Sequence, residues 1–257
     1  RQMCIRDSRL NGERAHCDAM SITHAYDVAI IVPVYNDDAA LAGLFEQLDL
    51  LYSVKETCRR MCRVALLVVD GAANPATAEL VGAEARYLNS EPGRGNQIAV
   101  GIDAVDAAWV WILHADTRPS VEAFEHLLGL VLGGQAGWGR FDVRMEKLGL
   151  VAWLMNWRSR LTRICTGDQA MFFATGLLSE VGGFPAQPLM EDIELSKRLK
   201  RSSGVFMAPS LAVRASPRRW RQRGVLRTIG HMWWMRLRYF LGASPGALYA
   251  AYYGRPP

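Results

Sequence analysis

From Lys197 to its last residue this 257-residue chain contains no aspartate or glutamate. The same stretch holds thirteen lysines and arginines, whereas the residues before it hold 17 basic against 25 acidic side chains. The formal net charge of +5 therefore hides an acidic body with a basic C-terminal segment. Such an asymmetry points to a polyanionic partner: a diphosphate, an anionic lipid or a nucleic acid. No recognisable RNA- or DNA-binding module is present, so the reading sets nucleic acid aside.

Long apolar runs are also missing. None reaches the roughly 18 residues needed to span a bilayer, which excludes a spanning helix. Cysteine is scarce: there are five, an odd number without paired spacing. Cys58 and Cys62 lie four apart, but no nearby His or Cys completes a zinc site. These thiols read as small buried residues in a reduced cytoplasm, and the expected location is cytoplasmic. The segment Arg1–Ser8 has no apolar core, so it does not read as a secretory signal. Residues 1–22 lack periodicity and are expected to be a disordered or non-native tail. No repeat, low-complexity stretch or linker follows. The expectation is one domain over 23–257, with a nucleotide-binding half (23–119) and an acceptor-side half (120–257).

What is present is an alternation of apolar strands and amphipathic helices, the pattern of an α/β domain with a mostly parallel sheet flanked by helices. Half of the residues are hydrophobic, enough for one substantial core. Three apolar runs end in acids: Val28–Val34 before Asn36 and Asp37, Val64–Val69 before Asp70, and Ala107–Leu113 before His114-Ala-Asp116. Ligands of open parallel sheets bind outside the carboxyl ends of the strands, so these residues point to a nucleotide and a divalent metal at one sheet edge.

Helices are expected over 39–52, 75–85, 96–105, 120–132, 148–161, 191–201 and 224–241. Shorter strands are expected over 138–143, 169–174, 205–207 and 211–213. The last helix is basic and aromatic. It reads as packed on the domain with snorkelling arginines, or as resting on a membrane interface as a peripheral contact.

The motifs Pro33-Val-Tyr-Asn-Asp37, Val69-Asp70-Gly71, Gly93-Arg-Gly-Asn-Gln97, His114-Ala-Asp116 and Met190-Glu-Asp192, in this order, resemble the GT-A (Rossmann-like) glycosyltransferases of family 2. Trp138-Gly-Arg-Phe-Asp-Val-Arg144, Asn156-Trp-Arg-Ser-Arg-Leu-Thr162, Thr166-Gly-Asp-Gln169 and Ala215-Ser-Pro-Arg-Arg-Trp220 narrow the resemblance to a bacterial, arsenosugar-biosynthesis-type subgroup. The resemblance covers roughly residues 27–253. It implies an inverting glycosyltransferase of hexosyltransferase type that takes a sugar from a nucleotide diphosphate-sugar donor to an unknown acceptor, with Mn2+ or Mg2+.

By the same resemblance Pro33, Tyr35, Asn36, Asp37 and Asp70 surround the nucleoside. Arg94 and Gln97, where a helix begins, meet the diphosphate or nucleoside, since a helix start offers free N–H groups to anions. Asp116 is the metal ligand, because hard cations prefer carboxylate oxygens. His114 either joins it on manganese, binds the ribose or orients Asp116. Asp168 and Gln169 face the donor sugar and acceptor. Asp192, with Glu191 beside it, is the general base that takes the acceptor proton. Met190 and Ile193 flank this pair and predict partial burial, which raises a carboxylate pKa. The arginines 218, 219, 221 and 223, with Arg219 foremost, close over the diphosphate in one reading. Acids at a helix start also simply complement the helix dipole, and Gly-Arg-Gly is also an ordinary loop.

The chain departs from the resembled pattern in two places. Asp70-Gly-Ala-Ala-Asn-Pro75 lacks the hydroxyl and the second carboxylate usual after the second strand, and Ala99 replaces a usual Asn. These changes keep open a degenerate, non-catalytic nucleotide-sugar-binding protein. A peripheral membrane or polyanion-binding module is the third reading.

Overall fold

The structure, a computed structural model, describes residues 24–54, 62–83 and 85–254. The expected tail over 1–22 and Cys58 lie outside the described residues.

Strand β1 (Tyr26–Val34) is an inner strand of a seven-stranded sheet. It is followed by α1 (Asp38–Val54), β2 (Val64–Asp70), α2 (Pro75–Val81), β3 (Arg86–Asn89), α3 (Arg94–Asp103) and β4 (Ala107–Ile112). β1 pairs in parallel with β2 and β4, and β2 with β3. Parallel strands buried on both faces read as continuous apolar runs. Accordingly Val28–Val32 are fully buried, as are Val68, Val69 and Trp111. The helical spacing of Leu41, Leu44, Leu48 and Leu51 places all four in the same core.

The sheet continues into the second half of the chain, in the order β3-β2-β1-β4-β8-β6-β9. β6 is Gly137–Gly139, β8 is Phe172–Ala174 and β9 is Val205–Met207. β8 runs antiparallel to both β4 and β6. A small sheet joins β5 (Thr117–Arg118), β10 (Ala212–Ala215) and β7 (Asp142–Arg144). The remaining helices are α4 (Val121–Leu132), α5 (Gly149–Thr162), α6 (Gly176–Glu180), α7 (Glu191–Leu199), α8 (Arg218–Arg223), α9 (Val225–Phe240) and α10 (Pro245–Tyr253). Trp220, Val143, Met145, Ala152 and Ala215 form a second core cluster, against which Val225, Ile229 and Met232 of α9 pack.

Three expected elements take other forms or bounds. The single strand over 138–143 is two strands in two sheets. The chain passes from one sheet to the other at Arg140, whose wholly buried guanidinium bonds Asp142 and the carbonyl of Asn156 at 2.9 Å. The strand expected over 169–174 begins only at Phe172. Gly167–Gln169 is a 3-10 turn closed by a reciprocal cap between Thr166 and Gln169, and Ala170 leaves it with a φ of 48°. The 75–85 helix stops at Val81 because Gly82 turns left-handed at φ 57°.

Candidate active site

The carboxyl ends of β1 and β4 and the start of α3 open onto one cavity of about 510 Å3. Pro33, Tyr35, Asn36, Asp37, Arg94, Gln97, His114 and Asp116 all line it. Arg218 from α8 and Tyr249 and Tyr253 from α10 complete the wall. Strand ends deliver their side chains here because the strands are parallel and in register, with Val34 beside Asp70 and Ile31 beside Ile112.

The start of α3 is seated by tight backbone contact. A Cβ on Gly95 would lie 2.1 Å from the carbonyl oxygen of Gln187, and one on Gly93 would lie 2.7 Å from Pro188 Cα. Gly93 also adopts φ 121°, which L side chains rarely take. The Gly-Arg-Gly motif thus presses Arg94 between the nucleotide-side loops and the 187–190 turn before α7.

Arg94 Nε lies 3.1 Å from Glu191 Oε1. Burial pushes the Glu191 carboxyl up, Arg94 opposes this and Asp192 adds to it. Burial also disfavours the Arg94 charge, but Glu191 and then Asp192 outweigh it and hold the guanidinium protonated. Glu191, which is 2% exposed, is the buried member of the pair, and Asp192 is half-buried.

Asp37 and Arg218 form a two-pronged ion pair across the cavity mouth. The Asp37 contacts, then burial and Asp116, set the Arg218 pKa, with the net shift upward. Asp116 lines this cavity and also an adjoining groove of about 760 Å3 that contains Arg118 and Arg218. The Arg118 guanidinium donates to the carbonyls of Ala40 and Ala115 at 2.8 and 2.7 Å, which fixes the turn carrying Asp116 onto α1.

A smaller cavity of about 80 Å3 shares Arg94 and Tyr253 with the first. Asp168, Asp192, Thr166, Trp220 and Arg236 line it. Asp192 Oδ2 accepts from the Gly167 amide at 2.9 Å, and its Oδ1 accepts from Ile193 N at 2.8 Å. The His114 ring packs on Gly167, with Nδ1 3.8 Å from Asp168 Oδ1. The helix start at α7 and the 3-10 turn thus meet through Asp192.

Asp70 and Gln169, both selected from the sequence, stand elsewhere. Asp70 is fully buried and does not line the cavity. Its oxygens accept from the amides of Ala72 and Asn74 at 2.8 and 2.7 Å and from the Tyr87 hydroxyl at 2.9 Å. Burial and this bond push the Tyr87 phenol up to about 12. Gln169 is buried as well, donating to Asn156 Oδ1 and Ser159 Oγ at 3.2 and 3.1 Å. It shapes the 3-10 turn and does not face either cavity. The side chain of Arg219, like that of Arg223, lies outside the described residues. Gln97 lines the cavity, but its amide nitrogen is committed to the carbonyls of Val34 and Val69, tying β1 to β2. Tyr249 and Tyr253 were missed by sequence reasoning. Ser244-Pro245 before α10 and Gly254 after it are a helix start and stop that mark this element.

Among the described residues no three His, Cys, Asp or Glu side chains cluster as metal ligands. The arrangement fits an ion held jointly with a diphosphate, for which one or two protein carboxylates suffice. Asp116 meets that requirement at the cavity wall.

No protein-family model matches the chain, and no curated protein sequence matches it. Solved structures do. The mannosyltransferase PcManGT from Pyrobaculum calidifontis, in complex with GDP-Man and Mn2+, superposes with a TM-score of 0.58 at 18% identity, covering 96% of this chain and 78% of that one. S. aureus TarS 1-349 in complex with UDP-GlcNAc superposes with a TM-score of 0.55 at 13% identity, covering 74% of this chain. The chain spans 58% of the length of that TarS chain and 40% of a longer one. At these identities the likeness is one of fold: a mostly parallel, Rossmann-like α/β sheet of the GT-A type.

Proposed function

We propose that this chain is an inverting, metal-assisted glycosyltransferase that takes a sugar from a nucleotide diphosphate-sugar donor. The observation that carries this reading is the single cavity uniting the β1 end, the α3 start, Asp116 and Arg218, adjoined at Arg94 and Tyr253 by a smaller one lined by Asp192. PcManGT and TarS were solved with nucleotide sugars, which supports a donor of that class. The motifs around Trp138–Arg144 and Ala215–Trp220 keep the arsenosugar-type subgroup as the finer expectation.

In this reading the nucleoside lies along Pro33–Asp37 above Gln97, and the diphosphate reaches Arg94 and Arg218. Asp116 and the phosphate oxygens would hold a divalent ion, with His114 favouring Mn2+ over Mg2+. The ion, when bound, neutralises charge on the leaving diphosphate. Asp192 takes the proton of the acceptor hydroxyl as that oxygen bonds to the anomeric carbon from the face opposite the diphosphate. The bond from that carbon to the diphosphate breaks, and the nucleoside diphosphate leaves with the electron pair. Glu191 positions Arg94 instead of taking the proton, since it is buried against that guanidinium. Asp168, one-third exposed beside His114, faces the transferred sugar.

The loop after β2 supports a second reading. With both Asp70 oxygens engaged within the protein and no following hydroxyl, the site would bind a nucleotide sugar without turning it over. One experiment separates the two. A panel of UDP- and GDP-sugars is incubated with Mn2+, and release of free nucleoside diphosphate is followed. Turnover in wild type that falls about 10²–10⁴-fold in Asp192→Asn, with donor affinity retained, supports the enzyme and the base. Binding without release supports the binding protein, and no binding of any donor sinks both.

A further inference from the structure

The outward face of α5 is apolar. Leu150, Trp153, Leu154, Trp157 and Leu161 recur at helical spacing, and Trp153 and Trp157 are 58% and 52% exposed with stacked rings. α9 repeats the arrangement, with Trp233 63% and Phe240 62% exposed along with Trp234 and Leu237. Surface helices normally turn such a stripe inward, and contiguous exposed apolar patches mark interaction surfaces. Both helices also lend inner residues to the Trp220 cluster, so each already has a buried face and leaves this one over.

Charge decides the occupant. Neither helix contains a carboxylate, while Arg227 and Arg238 on α9 and Arg163 just past α5 accompany the tryptophans. Trp and Arg together suit the boundary between acyl chains and anionic headgroups.

The inner sides of the same two helices carry cations. Arg236 of α9 lines the small cavity beside Asp192. Arg158 of α5 is its electrostatic neighbour, and its buried Nη2 has no hydrogen-bond partner among the described residues. Burial first, and then Arg236, lowers the Arg158 pKa to about 10, and Asp192 only partly offsets this. No ion pair with a described residue neutralises either guanidinium. A buried guanidinium nitrogen without a hydrogen-bond partner is costly, and a second cation within its electrostatic reach favours an anion there.

We infer that α5 and α9 dock the protein on a membrane surface and that the acceptor is a lipid whose phosphate headgroup is drawn between Arg158 and Arg236 toward Asp192. This rests on the glycosyl-transfer reading for the role of the lipid, though not for its binding. No helix of the described residues is long and apolar enough to cross a membrane, so contact is peripheral.

The test is sedimentation of the full chain with vesicles of phosphatidylcholine alone and of phosphatidylcholine with one-fifth phosphatidic acid. Wild type should pellet with the acidic vesicles, with a blue shift of tryptophan emission, and release at high salt. Trp157→Ala with Trp233→Ala should weaken binding roughly ten- to hundredfold, the loss expected when large apolar side chains are no longer buried. Arg236→Gln should reduce the preference for phosphatidic acid while leaving the blue shift in place. UDP and GDP binding, measured in parallel, reports on the donor site independently, so failure of one reading is distinguishable from failure of the other. Wild type left in the supernatant with both vesicles, without spectral change, overturns the proposal. So does binding of soluble glycerol phosphate as tight as that of the vesicles, which would make the source a free phosphate. A stable dimer abolished by the same tryptophan substitutions would assign the face to a second copy of the chain.

Discussion

Replacing Arg218 by Ala tests the donor side of the site most directly. In the structure its guanidinium is 53% exposed and grips Asp37, itself 26% exposed, through two bonds. An ion pair this open to water contributes only about 0–1 kcal/mol to stability, so the variant should fold with little change in melting temperature. Binding is a different matter. A diphosphate entering the cavity lets the same fork make charge-assisted bonds to phosphate oxygens, worth roughly 1.5–3 kcal/mol each. Arg218 must loosen its hold on Asp37 to do so, which offsets about one such bond. The net expectation is a loss of roughly 1–3 kcal/mol, or about five- to 150-fold in affinity for UDP or GDP in the presence of Mn2+. Uridine and guanosine, without phosphates, should bind the variant and wild type alike. Calorimetric titration of the four ligands measures this. An equal loss for nucleoside and diphosphate would mean that Arg218 merely shapes the cavity. No loss for either would remove it from the site, and with it the functional meaning of the basic segment on that side.

Other outcomes follow from the same geometry. Asp116→Ala should abolish the Mn2+-dependent part of UDP or GDP binding while melting like wild type, and unchanged metal dependence would take Asp116 out of that role. Glu191 has its folded pKa raised above the ordinary 4.5, so its contribution to stability is complete below pH 4.5 and is lost as pH rises through the folded value. Stability of wild type relative to Glu191→Gln should therefore decline between pH 4 and 8 in urea titrations; a difference that instead rises with pH would show that Arg94 keeps Glu191 ionised in the folded protein, and a flat one that its pKa is not shifted. Gly167→Ala would put a Cβ 2.2 Å from His114 Cε1, and overpacking of this kind costs about 1–3 kcal/mol. The melting temperature should fall by about 2–4 °C for each kcal/mol, with donor binding weakened as His114 shifts, and an unchanged melting curve would place the ring elsewhere.

The first half of the fold was legible because its signals are strong. Parallel strands buried on both faces need unbroken apolar runs, and β1, β2 and β4 have them. α1 shows its apolar stripe, and Ser120 caps α4 through its hydroxyl to the Ala123 amide at 3.2 Å, where the sequence placed the helix start. The second half was harder to read. β3, β5, α6, α8 and α10 are short or lack strong periodicity, so their existence depends on tertiary neighbours that periodicity does not encode. The run from Trp138 to Val143 alternates like one strand, yet a buried Arg140 divides it between two sheets.

The site shows the same limit at the level of single side chains. A polar residue at a strand end is positioned to face a ligand or to cap the loop that follows, and sequence alone does not choose. Burial chooses. Asp37, Arg94, His114 and Asp116 keep a surface toward the cavity, whereas Asp70 and Gln169 spend their polar atoms on the amides and side chains around them. Asp70 and Asp116 follow apolar runs of similar character on either side of β1, but the Asp70 loop turns back at once, bringing the Ala72 and Asn74 amides onto its oxygens. The turn after β4 instead hands its amides to carbonyls, as Thr117 does to His114 at 2.9 Å, and points its acid outward. The loop that lacks the usual hydroxyl and second carboxylate is therefore the one whose acid is consumed by structure. In the proposed reading, the charge needed by a diphosphate would come from across the cavity, from Arg94 and from the basic segment whose want of acids was the first feature of the sequence.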